Sequence, residues 1–591
     1  MGINTTETPR SSGSYGLFNL DGAPVDARDA HYLGLPATAG PQSWQAAGHD
    51  AYFPSAVSHY ESTLGFTLLV GEVEEAETLA ATLGLQRATP NAALAQSALT
   101  RYGTELPSAL IGEWSLLHRA PDGRLTLMLS AGKRDRLHYA VRGNRVAVAP
   151  DLFALARIAW VGNAVDAAGV LFPMGRADVR SGRGDSTMLK AVYQLEAGAS
   201  VVVEPDGSVR KYQAQTFIEQ PRWHGSYADA VVESETMLRH IMRTTLARNA
   251  KVAPMLSGGL DSSLLTWLCA AECGPDTDLT TLTSVAPTDS GIADESPFAD
   301  LVAKTLGMKS RHVFPAHDVN IYRPPDYILA GGSGPILPNR HCLTDAFQIA
   351  AQDMGATLII DGTFGEMSAT ARLPSPNPMQ KMRSIIGPLL RSTPFFRLPK
   401  SETTPFHVRL APHLLANLPE QIQAASAAPP VDYNLLNSNG LLGYMPGIQK
   451  ALAHPNEFYP GAVRMTHPYR DIRLLRLFAG FPVQMLTKNG ADRGIARMMM
   501  KGHLPDAIRL RRVGMPASPD HLPRLQRQAA AARLRIPHFR KAEIGDWLDL
   551  DWLDGALQSV AAHGPVNVDQ ANEVQLTAIT AEFLLWWRRQ I

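Results

Sequence analysis

The segment LSGGLDSS, Leu256–Ser263, decides the fold. It follows an aliphatic run, Lys251–Leu256, and leads into a stretch of helical spacing, Ser262–Cys273, closed by Gly274. Gly258 and Gly259 allow a sharp turn that brings backbone N–H groups close to a ligand. Ser262 and Ser263 open the helix, whose unpaired N–H groups and dipole favour an anion. Asp261 places a carboxylate beside that anion, which suits a Mg²⁺ ligand bridging phosphate oxygens. The plain alternative is a strand-to-helix turn with a Ser or Asp cap. Donors, dipole and metal ligand together within one turn favour the phosphate site. The segment is neither a Gly-Lys-Ser/Thr loop nor a G-x-G-x-x-G turn.

Outward from this turn the chain alternates strand and helix. A helix is expected over Ser226–Ala250, strands over Leu279–Val285, Arg311–Phe314 and Thr357–Ile360, and a helix over Ser296–Leu306 ending at Gly307. That alternation with short turns predicts a parallel, doubly wound sheet. Upstream, Ser14–Gln220 reads as short β runs such as Leu64–Val70, Leu125–Leu129, Arg145–Ala149 and Ser200–Val203. Turns such as PDGR (121–124) bound them, and helical patches are expected at Glu72–Leu83 and 151–159. Residues 370–430, rich in Pro and Ser, read as irregular with a helical piece near Met379–Leu390. The chain from Leu435 reads as mostly helical, ending in an amphipathic Ala571–Arg589. The predicted fold class is therefore α/β, with a sheet-rich domain over 1–215 and a second domain over 216–591.

A chain of 591 residues exceeds one ordinary core. Lys plus Arg and Asp plus Glu both number 55, which removes the electrostatic reason to expect nucleic-acid or membrane-surface binding. No apolar run is long enough to span a bilayer, and the polar N-terminus lacks signal-peptide character. The three cysteines, Cys269, Cys273 and Cys342, are too few for a disulfide framework, so a reducing cytoplasm is expected. Cys269 and Cys273 read as small buried hydrophobes. Met1-Gly2 with Thr6 fits a myristoylation pattern only loosely.

SGGLDSS resembles the pyrophosphate loop of the ATP pyrophosphatase superfamily, in the form found in asparagine synthetases, β-lactam synthetases and lasso peptide cyclases. Thr283-Ser284-Val285-Ala286 resembles the strand whose backbone contacts adenine. Asp294-Glu295 with Ala299 and Leu306-Gly307 resembles the D-E…A…L-G helix. Asp361–Glu366, DGTFGE, stands where the second loop is usually S-G-x-G-x-D-E. Arg464…Pro468…Asp471 and Leu504-Pro505…Ile508…Arg511 resemble two later segments. The first 215 residues resemble an N-terminal-nucleophile glutaminase through GEWSLL (112–117), Asp135-Arg136…His138-Tyr139, Val146–Leu152 and Thr187…Gly198.

That resemblance implies an adenine-nucleotide α-hydrolase synthetase domain that splits ATP to AMP and pyrophosphate. It implies ATP contacts at Leu256, Ser257, Gly258, Gly259, Asp261, Ser262, Ser263, Val285, Asp361 and Gly362, with Asp261 and Glu366 as Mg²⁺ ligands. A glutaminase needs an N-terminal cysteine whose own amine serves as base, but position 2 is Gly2 and the first cysteine is Cys269. Glutamine hydrolysis is thus expected to be absent, and the attacking amine to come from the substrate. The F-G-E form of the second loop is most like lasso peptide cyclases. The expected substrate is a precursor peptide with a leader-peptidase partner, and the runner-up is a small-molecule amide synthetase. Relatives carry a Lys two residues after the position of Arg511, where this chain has Val513, and their loop Glu is replaced by Thr363. The catalytic candidates are therefore Arg512, Lys501 and His341. Arg would act as an electrostatic stabiliser, since it stays charged at neutral pH.

Three further features carry plainer expectations. His341, at a helix start, reads as a surface or cap residue ahead of a catalytic base. Trp586-Trp587-Arg588-Arg589 reads as the end of a core-docking helix. Arg470, Arg473 and Arg476 read as one solvated helix stripe.

Overall fold

The computed structural model describes residues 15–33, 43–46, 49–52, 57–132, 136–176, 179, 182–213, 223–287, 290–315, 319–330, 335, 339–370, 405–427, 463–486, 492–512, 514, 518–565 and 567–590. The expected helix near Met379–Leu390, and Asp135 and Val513, lie outside them.

Alternating side chains build two stacked antiparallel sheets from β1 (Tyr15–Asn19), β2 (Ser43–Ala46), β3 (His49–Tyr52), β4 (Val57–Ser62), β5 (Gly65–Val73), β6 (Gly112–Arg119), β7 (Leu125–Leu129), β8 (His138–Arg142), β9 (Arg145–Ala149), β10 (Tyr193–Gln194), β11 (Ala199–Val203) and β12 (Val209–Gln213). Their orders are β10-β8-β9-β1-β3-β2 and β12-β11-β7-β6-β5-β4. Phe18, Val146 and Val148 of one sheet meet Leu68, Leu117, Leu127 and Val201 of the other in a shared core. The next residue along each strand faces away, as period-two geometry requires. Leu69, Leu116 and Met128 pack on the helix Asn91–Tyr102. Leu17 and Ala147 pack on the segment beginning at Leu152. The result is four layers, helix–sheet–sheet–helix. The helix expected at Glu72–Leu83 is shorter, Ala76–Thr82. Glu72 and Val73 are instead held in β5 by pairing with Glu113 and Gly112.

The third sheet is wholly parallel. After the helix α1 (Tyr227–Leu246) come β13 (Lys251–Pro254), α2 (Leu260–Glu272), β14 (Asp278–Ser284), α3 (Ser296–Thr305), β15 (Lys309–Val313), α4 (His341–Asp353), β16 (Leu358–Ile360), β17 (Arg464–Thr466) and α5 (Ile472–Gly480). The order is β15-β14-β13-β16-β17. Val252, Leu358 and Ile360 bury toward α1 and α2. Ala253, Ile359, Leu282 and Val313 bury toward Leu343 and Phe347 of α4. Both faces are therefore covered, as a parallel sheet demands. β17 was not expected as a strand, because its three residues carry no alternation of their own.

Two expectations need correction. The C-terminal helix α6 (Val568–Trp587) is not amphipathic, because nearly every side chain from Ala571 to Trp587 is buried. Trp586 packs edge-on against Phe153, with ring centroids 5.0 Å apart. The arginine stripe is not solvated either. Arg470 is 5% exposed. Arg473 pairs with Glu74, with Glu75 at 2.6 Å and with Asp471 at 2.5 Å. Arg464 and Arg248 add ion pairs to Glu72 at 3.0 and 3.4 Å. The charges join the antiparallel sheets to the parallel one. Among the described residues no helix is long and apolar enough to cross a membrane.

Candidate functional site

Strand order locates the site. From β13 the chain moves outward one way, through β14 to β15, and then returns to the other side of β13 for β16 and β17. Ligands of such sheets bind at the carboxyl ends of the strands where this reversal occurs. The two strands flanking it, β13 and β16, end in Leu256–Ser263 and Asp361–Glu366, the two loops singled out by sequence.

The first loop is tied on itself. The helix starts at Leu260, earlier than Ser262, with Gly259 as N-cap and no side-chain cap. The Ser257 N–H donates to Ser262 Oγ at 3.1 Å, and Ser262 Oγ donates to the Gly259 carbonyl at 3.2 Å. Ser257 Oγ lies 3.1 Å from Ser262 Oγ. Gly258 has φ +70°, and a Cβ there would stand 2.5 Å from Cβ of Phe298, so only glycine fits. Ser263 is fully buried, and its Oγ has no protein partner among the described residues.

The second loop lies on the first. A Cβ on Gly362 would come 3.0 Å from the Ser262 nitrogen, and one on Gly365 would overlap the Asp261 carboxylate. Thr370 Oγ1 donates to Asp261 Oδ1, and the Arg493 guanidinium stands 3.6 Å from Asp261 Oδ2. The Tyr469 hydroxyl donates to the Asp261 carbonyl at 2.9 Å. Burial, then the Asp261 carboxylate, a neighbouring thiol and Glu366 push that phenol well above its ordinary value, so it stays a donor. Gly365, the residue before Glu366, packs directly on the Asp261 carboxylate, so the two acids stand on facing loops. Glu366 is exposed. Two carboxylates on facing loops suit a hard cation that takes its other ligands from phosphate and water.

Arg511 closes the site from the far side. It donates to the Gly258 carbonyl at 3.2 Å and to Glu295 at 2.6 Å, and its guanidinium sits 3.9 Å over the Phe298 ring. Asp294, the other acid of the pair, accepts from the Ala286 N–H at 2.7 Å and from Ser296. It thereby anchors the turn after Val285, whose N–H is bound to Val313. The Asp-Glu pair therefore has two structural tasks, both at the N-terminal end of α3.

The remaining candidates are not gathered with these groups. Arg512 and Lys501 are both exposed, and neither bonds the loop among the described residues. His341 is 1% exposed, against the Ile321 carbonyl at 3.4 Å. Burial pushes its imidazole down to about 4. This is the packing of a core histidine, not of a base meeting substrate. The unfolded chain takes up a proton at His341 near its ordinary value of 6.5, while the fold resists until about 4. Its contribution is present above 6.5 and is lost as pH falls through that window. A His341→Gln protein should therefore lose about 2 kcal/mol less stability than wild type between pH 7 and pH 5, read from denaturant unfolding at both pH values. Arg493 and Tyr469 were not anticipated. Tyr469 sat inside a quoted segment, between Pro468 and Asp471, whereas nothing in the sequence marks Arg493.

Residues 233–329 and 462–588 match the family model of asparagine synthase. The match supports a place for these segments in the asparagine synthetase-like superfamily. No curated protein matches the chain. Among solved structures, the glutamine phosphoribosylpyrophosphate amidotransferase from B. subtilis complexed with ADP and GMP aligns at 10% identity. That alignment covers 60% of this chain and 77% of that one, with a TM-score of 0.23. The U34-tRNA thiolase from Methanococcus maripaludis, with its [4Fe-4S] cluster, aligns at 14% identity over 48% of this chain and 76% of that one, with a TM-score of 0.20. At such TM-scores neither likeness bears on function.

Proposed function

We propose that this chain is an ATP-dependent, AMP-forming carbon–nitrogen ligase. The observation that carries the reading is the seating of the DGTFGE loop on SGGLDSS, Gly362 against the Ser262 nitrogen and Gly365 against the Asp261 carboxylate. The asparagine synthase match over 233–329 and 462–588, which holds the first loop, Tyr469, Arg493 and Arg511 though not the second loop, supports it. Ser257, Gly259, Ser262 and Ser263 would cradle pyrophosphate, with Leu256 and Val285 beside adenine. Asp261 and Glu366 would hold Mg²⁺, which when bound neutralises charge on the phosphates. A substrate carboxylate attacks the α-phosphorus, and pyrophosphate leaves. Arg493, beside Asp261, and Arg511, bonded to Gly258, supply fixed positive charge at the turn. Arg512 and Lys501 are exposed and bond no group of the turn among the described residues.

We further propose that the carboxylate is an Asp or Glu side chain of a precursor peptide and that the amine is the peptide's own N-terminus, giving a macrolactam as in lasso peptide cyclases. Residues 1–268 contain no cysteine, so the two antiparallel sheets, in a glutaminase-like arrangement, offer no thiol to release ammonia. The amine then has to arrive with the substrate, and a leader peptidase would deliver it. Domains of 1–215 and 216–591, and a cytoplasmic location, belong to this proposal. The test is incubation with ATP and a synthetic peptide carrying a free N-terminal amine and an internal aspartate. AMP, pyrophosphate and a peptide lighter by one water support the reading. Asparagine formed from aspartate and ammonia, with no response to peptide, sinks it in favour of a small-molecule amide synthetase.

A further inference from the structure

Amide formation from an acyl-adenylate releases a proton, and none of the cations near the pyrophosphate turn can accept it. Asp261 and Glu366 are occupied as metal ligands in the proposed reaction. Thr363 stands where relatives have a loop Glu, and Asp361 where they usually have Ser. The two departures are in contact. Asp361 Oδ2 accepts from Thr363 Oγ1 at 2.6 Å, and Asp361 Oδ1 accepts from the Thr363 N–H at 3.1 Å. His467 Nε2 stands 3.2 Å from the same Oδ2. The His467 side chain is 1% exposed, and its ring is tilted against Phe364 with centroids 5.6 Å apart. Asp361 is also fixed through its backbone, its N–H donating to the Thr466 carbonyl at 3.0 Å. It is followed at once by Gly362, which packs against the Ser262 nitrogen, so the backbone at Asp361 adjoins the first loop.

Resting on the ligase reading above, we propose that Asp361 is the base that takes the proton from the attacking amine, and that His467 is the positioning residue that holds and orients its carboxylate. The amine nitrogen attacks the acyl carbon and becomes positively charged, which makes its N–H acidic enough for a carboxylate to accept. The proton passes to Asp361, the C–N bond remains, and the C–O bond to AMP breaks with its electron pair leaving on the phosphate. His467, donating from Nε2, orients Asp361 as a carboxylate orients a histidine in the more familiar arrangement. On its other side His467 lines a polar cleft with Glu72, Glu74, Glu113 and Asp471, at the junction with the antiparallel sheets.

The test compares two fates of the adenylate. The full chain is supplied with ATP and the synthetic peptide, or with aspartate and ammonia, and amide is measured. A parallel reaction with hydroxylamine measures hydroxamate, because hydroxylamine attacks without needing a base. Asp361→Asn should lower the ratio of amide to hydroxamate by about 10²-fold or more. His467→Gln should lower it by about 10-fold, as for loss of an orienting partner. A purely structural role would lower both products together, and an unchanged ratio in both variants overturns the proposal. His467→Gln also keeps the test open should the Asp361 variant not fold. Wild-type protein that makes no hydroxamate from either carboxylate would overturn the ligase reading itself, a different outcome from an unchanged ratio.

Discussion

Asp261→Asn should slow ATP–pyrophosphate exchange by about 10²–10³-fold while leaving the thermal midpoint close to wild type. Asparagine has the same shape and keeps an oxygen for the Thr370 hydroxyl, so the seating of the two loops survives. What is lost is the negative charge that, with Glu366, would draw Mg²⁺ to the pyrophosphate. The neighbouring Arg493 guanidinium then lacks its carboxylate, 3.6 Å away, but at 11% exposure it retains some access to water. Raising the Mg²⁺ concentration should recover part of the rate in Asp261→Asn. Full exchange activity at ordinary Mg²⁺ would remove Asp261 from the metal site.

Glu295→Ala should have the largest effect on stability, about 3–5 kcal/mol. The Glu295 and Arg511 side chains are 8% and 11% exposed and meet at 2.6 Å. Removing the acid leaves a guanidinium packed over Phe298 with little water to compensate it. Glu295→Ala/Arg511→Met should recover much of that loss, since replacing both partners with apolar groups is far less costly than removing one. It should not recover ATP binding, because Arg511 also holds the Gly258 carbonyl at the turn. Urea unfolding and nucleotide titration on the single and double variants separate the two effects. A double variant no more stable than Glu295→Ala would show that the pair is not what stabilises α3.

How much of this was legible from sequence depends on the range of the interaction. The parallel sheet was readable because β13 and β16 are short aliphatic runs each followed by a glycine turn, a local pattern. β17 was not, because Arg464-Met465-Thr466 becomes a strand only by pairing with Leu358–Ile360. The turn at Leu256–Ser263 was legible because its glycines, serines and Asp261 are packed into eight consecutive residues. The Arg511 segment was legible only as a motif, since its partner Glu295 lies 216 residues away in sequence. Period-three spacing at Arg470, Arg473 and Arg476 looked like a solvated face. The acids that bury it, Glu74 and Glu75, lie almost 400 residues away in sequence. His341 failed as a base for a similar reason, because only the fold shows it sealed against Ile321.

The central claim is that the chain joins a carboxylate to AMP before forming an amide. It is tested most directly by supplying a carboxylate substrate labelled with heavy oxygen, together with ATP, and following the label. Attack on the α-phosphorus predicts AMP and pyrophosphate as products, with one labelled oxygen in the phosphate of AMP. Formation of ADP, with the label in inorganic phosphate, would contradict the account.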